Sequence, residues 1–241
     1  MPESRVPHLV VVRPPAAILG RMITDVLPGR RVIVPRDPGG PDLDAAVADT
    51  VGNARAVAEP PWDVVGESVG ALLAAAIAAR RQLAVRRLVL IGGWASSSGP
   101  AARFAADLRR DLLATDPDLV GRLTVLLGFS PPALGALGEG GIVHVLAEQD
   151  EPTPLASGAP LDITALLPHV VAPTLVIGFA QDQLVPVDGA RTLHAGIRGS
   201  RYVELPGGHY DWLLEPDRLL GTVARFLDDP LLEGHRPQVG P

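Results

Sequence analysis

The chain has no cysteine and no lysine in 241 residues. Without cysteine there can be neither a disulfide framework nor a thiolate metal site, and the absence says little about compartment. Without lysine, all 21 positive side chains are arginine. Together with abundant Ala, Val, Gly and Pro, this reads as the codon bias of a GC-rich genome and not as a binding device. Positive charge in excess is also missing. The 27 acidic residues leave a formal charge of −6, which argues against nucleic acid or an anionic membrane as partner, since either needs a clustered basic face. No apolar run is long enough to span a bilayer, and MPESRVPHLVVV lacks the basic and then long apolar regions of a secretory signal. The expectation is a cytoplasmic protein with a neutral or small partner.

What the chain does contain is apolar residues, 47% of the total, ample for a continuous core. Short runs rich in Val, Ile and Leu alternate with segments of helical periodicity. HLVVV (8–12), RVIVP (31–35), WDVVG (62–66), RRLVLIG (86–92), PTLVIGF (173–179) and SRYVEL (200–205) read as six strands buried on both faces. Strands of this kind separated by helices predict an α/β fold, a mostly parallel sheet covered by helices on each side. In such open sheets ligands bind beyond the carboxyl ends of the strands.

One region breaks the alternation. Residues 95–169 carry helical, amphipathic sequence, then a Gly/Pro/acidic stretch, then LDITALLPHV with Asp162 as a candidate N-cap. A helical lid insertion over the carboxyl end of the sheet is expected, in a single domain of residues 1–241 whose tail, 230–241, frays. Apolar lid residues such as Phe104, Leu108, Leu112, Leu126, Leu127, Phe129, Leu134 and Leu137 either line a pocket or pack the lid helices together, and packing is the expected role of most.

The stretch WDVVGESVGALL holds the pentapeptide G-x-S-x-G. With 26 Gly and eight Ser, chance alone supplies such a pattern in roughly one of ten chains of this composition, so its surroundings must decide its meaning. Ser68 lies between a strand and a helix, with Gly66 and Gly70 permitting a sharp turn that pushes the serine outward. A serine hydroxyl needs a positioned base, and the base a carboxylate. Asp182, in AQDQLVP after the fifth strand, and His209, in GGHYDW after the sixth, supply both types in the order Ser, Asp, His. Taken singly, they also read as a tight-turn serine, an Asx-turn former and a surface histidine. Of the other histidines, His8, His144, His169, His194 and His235 read as structural or surface residues.

Through GESVG, PTLVIGFAQDQLVP and LPGGHYDWLLEPDRLLGTVARFL, the chain resembles the α/β-hydrolase fold superfamily over nearly its whole length. RVIVPRDPGG also resembles the strand and loop that precede the family's elbow. The resemblance implies Ser68 as nucleophile, His209 as general base and then acid, Asp182 as the orienting carboxylate and Val69 N–H as one oxyanion donor. Serine at the elbow disfavours the haloalkane dehalogenase and epoxide hydrolase chemistries of relatives with aspartate there. The family's His-Gly pair after the first strand is replaced by Arg13, Pro14, Pro15, Ala16 and Ala17, and proline at the donor position has no N–H. Ala16 or Ala17, at the start of a helix, or the Arg13 guanidinium, is expected to complete the oxyanion hole. Seven residues before the first strand imply a compact sheet without the family's opening antiparallel strands.

Trp94, directly after a strand, and Leu184, beside the acid, are candidates for substrate contact. No metal spacing or phosphate loop is present, and GGWASSSG (92–99) lacks the context of a dinucleotide site, so no cofactor is expected. The resulting expectation is a bacterial esterase- or thioesterase-like serine hydrolase acting through an acyl-enzyme on a small acyl or polyketide-like molecule. The alternative is a cyclase, acyltransferase or lyase of bacterial specialised metabolism using the same residues. A binding module that kept the fold is a third reading.

Overall fold

In a computed structural model, which describes residues 8–12, 19, 22–23, 25–27, 30–33, 42–81, 83–147 and 161–232, the six runs form one parallel sheet. The strands are β1 (His8–Val12), β2 (Val32–Ile33), β3 (Trp62–Glu67), β4 (Val85–Ile91), β5 (Thr174–Phe179) and β6 (Arg201–Leu205). Their order is β2-β1-β3-β4-β5-β6. The chain steps from β1 outward to β2 and then back across to β3, so the order reverses between β1 and β3. The carboxyl end of β3 therefore opens at the switch point where parallel sheets bind ligands.

The helices are α1 (Leu43–Val57), α2 (Val69–Ala79), α3 (Pro100–Thr115), α4 (Pro117–Gly128), α5 (Pro131–Ala147, kinked at Gly138), α6 (Asp188–Gly196) and α7 (Pro216–Leu227). Among the described residues, no helix is long and apolar enough to cross a membrane. Alternation along the strands sends side chains to two separate cores. Val64, Leu88, Leu90 and Val176 pack with α1, α2 and α6 on one face. Val65, Val89, Ile91 and Ile177 pack with Leu19, Ile23 and α7 on the other. Every residue of α2 is buried, and its alanines let the helix lie close on β3 and β4.

The periodicity placed each strand within a residue or two, with informative exceptions. In β2 the described residues Val32 and Ile33 pair with β1, and Val34 and Pro35 of the expected run lie outside the described residues. β6 was expected to be buried on both faces, yet it is an edge strand whose Arg201 and Glu204 are exposed. Tyr202 packs on one core and Val203 and Leu205 on the other, while the charged residues Arg201 and Glu204 suit an edge with one neighbour. The insertion forms α3, α4 and α5, and its two stems are joined where Ser96 pairs with Asp162 in an antiparallel bridge. Asp162 accepts from Thr164 N–H at 2.8 Å and from Ser96 Oγ at 2.9 Å, but the N-cap position of the following 3-10 segment, Thr164–His169, is Ile163 and not Asp162 as expected. These hydrogen bonds, that from the Thr164 backbone foremost, hold its carboxyl below the usual range. In the tail, Pro230–Leu232 forms a 3-10 turn, and residues 233–241 lie outside the described residues.

At the amino end of β3, Asp63 is fully buried. It accepts from Arg30 Nη1 and from Arg86 Nε at 2.8 Å and Nη2 at 2.6 Å. Arg86 also donates to the Leu227 carbonyl at 3.0 Å, and buried Arg87 donates to the same carbonyl and to that of Asp229. Three guanidinium groups thus tie the sheet to the carboxyl end of α7, where the helix dipole favours cations. Replacing Asp63 by Ala removes the buried carboxylate that Arg30 and Arg86 share and leaves Arg30 with the exposed Asp228 carboxylate. This variant should lose about 3–5 kcal/mol of stability, read from the shift of the urea unfolding midpoint.

Candidate active site

The turn from β3 into α2 is built by close approach. A Cβ on Gly66 would lie 2.3 Å from the Gly70 carbonyl oxygen and 2.8 Å from Ala71 Cα, so only glycine fits. The turn then forces Ser68 to φ 55° and ψ −125°, a left-handed conformation that costs a non-glycine residue on the order of 1–3 kcal/mol. Ser68 N–H donates to the Ile91 carbonyl at 2.8 Å, which anchors the elbow to β4. Its side chain does not cap α2. Val69, the first helical residue, presents an amide that has no acceptor within the helix.

Asp182 and His209 meet, although 27 positions separate them. His209 Nδ1 lies 2.6 Å from Asp182 Oδ2, and both side chains are excluded from solvent. The other carboxylate oxygen accepts from Val185 N–H at 2.7 Å. Both oxygens are engaged, so the carboxylate cannot rotate, and it fixes the Nδ1–H tautomer of the imidazole. His209 Nε2 is then the free basic nitrogen, buried and without a hydrogen-bond partner. The bond from Ser68 Oγ to Nε2 is therefore not closed in this structure; such bonds are often long before substrate arrives.

A glycine pair brings the elbow and the imidazole together. A Cβ on Gly92 (φ +55°) would lie 3.1 Å from His209 Cε1. One on Gly93 would lie 2.4 Å from Ala71 Cβ and 3.4 Å from the Ser68 carbonyl oxygen. The GG of GGWASSSG is there to let His209 and the elbow approach the end of β4. Its serines serve the stems of the insertion: Ser97 Oγ accepts from Leu161 N–H at 2.8 Å.

The remaining expected residues fall as follows. Trp94 packs against Gly189 of α6, and its indole N–H is buried without a partner. Leu184 is half-buried two residues past Asp182. Arg13 and Ala16, with Pro15 and Ala17, lie outside the described residues. Of the apolar insertion residues, Phe104, Leu108 and Leu126 are exposed. Phe129, by contrast, is buried in a small core with Val125, Ala133 and Tyr210. A cavity of about 300 Å³ opens elsewhere, between Arg55, Glu59 and Trp62 at the amino end of β3, at the opposite end of the strand from Ser68. Among the described residues, no cluster of His, Asp and Glu could hold a metal ion.

One residue of the site escaped the sequence reading although it sits inside the motif. Glu67, immediately before Ser68, is buried, and neither of its carboxyl oxygens has a hydrogen-bond partner. Burial pushes its pKa up to about 8, an effect that the Trp212 indole N–H opposes. Because Trp212 Nε1 is itself unsatisfied, the two groups approach without closing a full hydrogen bond. A signal was available: a strand-end glutamate beside Val65 must share that residue's core.

Glu67 is thus a neutral acid at pH 7, and this makes stability depend on pH. In the unfolded chain it ionises near its ordinary value of 4.5, and in the folded chain near 8. Between those values the unfolded state binds fewer protons, so stability is full below the lower value and declines as pH rises to the upper one. Glu67→Gln should remove that slope. Relative to wild type, the variant should gain on the order of 3 kcal/mol by pH 7 over its standing at pH 4, measured by thermal melts across pH 4–9.

Comparison with known proteins identifies the family to which this fold belongs. The model of the alpha/beta hydrolase family matches residues 19–222. Pyrrolizixenacetamide deacetylase of Xenorhabdus hominickii is 32% identical over 193 residues, covering 77% of this chain and 73% of that protein. Two solved structures share the fold: a bromoperoxidase from Bacillus anthracis (TM-score 0.76, 17% identity, 92% of each chain) and the enol-lactonase from Burkholderia xenovorans LB400 (TM-score 0.75, 19% identity, 95% of this chain and 94% of that one). The chain belongs to the alpha/beta hydrolase family.

Proposed function

We propose that the protein is a serine hydrolase that removes an acyl group from the oxygen, sulfur or nitrogen of a small molecule through an acyl-enzyme on Ser68. The observation that carries this reading is the buried Asp182–His209 pair at 2.6 Å, with Nε2 left free on the same side of the sheet as the strained elbow. The relative that deacetylates pyrrolizixenacetamide extends the expected range from esters and thioesters to acetyl amides.

In this mechanism His209 Nε2 takes the proton of Ser68 Oγ as the oxygen attacks the carbonyl carbon. Asp182 stabilises the imidazolium that results without becoming protonated itself. The tetrahedral oxyanion receives Val69 N–H, aided by the dipole of α2. The second donor falls to the segment after β1, with Ala16 and Arg13 as candidates. Collapse breaks the bond to the leaving group, which leaves with the proton from Nε2. A water molecule then gives its proton to Nε2 and its oxygen to the acyl carbon, and Ser68 regains its proton as the acid departs. Trp94 and Leu184 would flank the acyl or leaving group.

A fluorophosphonate probe should label the wild type and leave Ser68→Ala unlabelled. With p-nitrophenyl acetate, Asp182→Asn should lower kcat by about 10⁴-fold, because the imidazole is freed to take the wrong tautomer. Folded wild type that resists labelling and releases no acid from ester, thioester or N-acetyl substrates would contradict the proposal.

A further inference from the structure

The helical insertion is fastened to the loop that carries His209. At the junction of α4 and α5, Ser130 donates to Asp211 twice, from N–H to Oδ1 at 2.9 Å and from Oγ to Oδ2 at 2.5 Å. Tyr210 N–H donates to the Gly128 carbonyl at 2.8 Å. The two backbones are nested so tightly that neither tolerates a side chain. A Cβ on Gly128 would lie 2.4 Å from the Tyr210 ring, and one on Gly208 would lie 2.7 Å from both the Gly128 carbonyl oxygen and Ser130 N.

Tyr210 relays this contact. Phe129 packs on its ring, with centroids 5.8 Å apart. The same ring meets His209 nearly edge-on, at 4.8 Å and 81°. Phe179 approaches the imidazole from another direction, at 6.3 Å and 71°. With Asp182 fixing only Nδ1, the imidazole could still pivot about that bond, and the aromatic walls are what limit the pivot.

We propose that Asp211 is a positioning residue for His209: by clamping Gly128–Ser130 of the insertion onto the histidine loop, it sets the Tyr210 wall that fixes the direction of Nε2. The insertion is therefore part of the catalytic frame at this junction, and any opening for substrate is made elsewhere along it. This inference rests on the reading of His209 as the general base.

The test compares Ser130→Ala, which deletes a single hydroxyl, with Asp211→Ala and the more conservative Asp211→Asn. The first readout is kinetic, with p-nitrophenyl acetate. The second is the downfield proton resonance of His209 Nδ1–H, which needs no substrate and so still decides the inference if hydrolysis itself is not found. Expected are a fall in kcat of about ten- to hundredfold with KM within twofold, of the size that small misplacements of reacting groups produce. The resonance should shift or broaden, with Asp211→Asn between wild type and Asp211→Ala. Lower thermal stability with unchanged kcat and an unmoved resonance would reduce Asp211 to a tether and overturn the inference. So would a rise in KM alone, which would make the junction only a wall of the binding site.

Discussion

Where β3 turns into α2, the backbone leaves no room for a Cβ on Gly66, and the whole site follows from that contact. It lets α2, buried at all of its residues, press against the sheet with its amino end beneath Ser68. It also forces Ser68 into the left-handed region. Strain of this kind persists only when its surroundings over-determine it, and here the surroundings are a helix rich in alanine packed on β3 and β4. The hydrophobic effect that holds α2 in place is thus what holds a serine hydroxyl in an otherwise unfavourable posture.

Strand β3 carries contrasting carboxyl groups at its two ends. Asp63 is surrounded by arginines and serves as an ionic anchor to α7. Glu67 has no such partner, and burial holds it neutral. Asp182 is a third case, buried yet satisfied on both oxygens, by His209 and by Val185 N–H. Neutralisation, an ion network and a histidine are three separate ways of meeting the desolvation cost of a buried carboxyl. Only the third leaves a base with a free nitrogen at the carboxyl end of the sheet.

Much of this was legible in the residues. Runs of Val, Ile and Leu separated by helical spacing gave the six strands and their parallel sense, because burial on both faces writes itself locally into β1, β3, β4 and β5. Ser68, Asp182 and His209 could be picked out because each follows a strand. What stayed hidden was pairing over distance. The contact of Ser130 with Asp211 joins residues 81 apart, and nothing near either one announces the other. The network around Asp63 likewise joins residues of β3 and β4 to the end of α7. The amphipathic pattern of the insertion was read correctly as helical, but periodicity tells which face is apolar and not what covers it. Phe104, Leu108 and Leu126 were therefore read as packing or lining residues and proved exposed. Glu67 was in full view inside the motif, and only its surroundings gave it meaning.

The nesting of Gly128 against Tyr210, and of Gly208 against the turn that begins at Gly128, also bears on how such a protein can be rebuilt. Insertions of this kind look like interchangeable caps on a common sheet. Here the insertion and the loop after β6 are cut to one another's outline, glycine facing ring and glycine facing backbone. A foreign insertion with any side chain at position 128 would strike the loop. The unit that can be exchanged between family members is therefore not the insertion alone but the insertion together with residues 207–211, inherited as a matched pair.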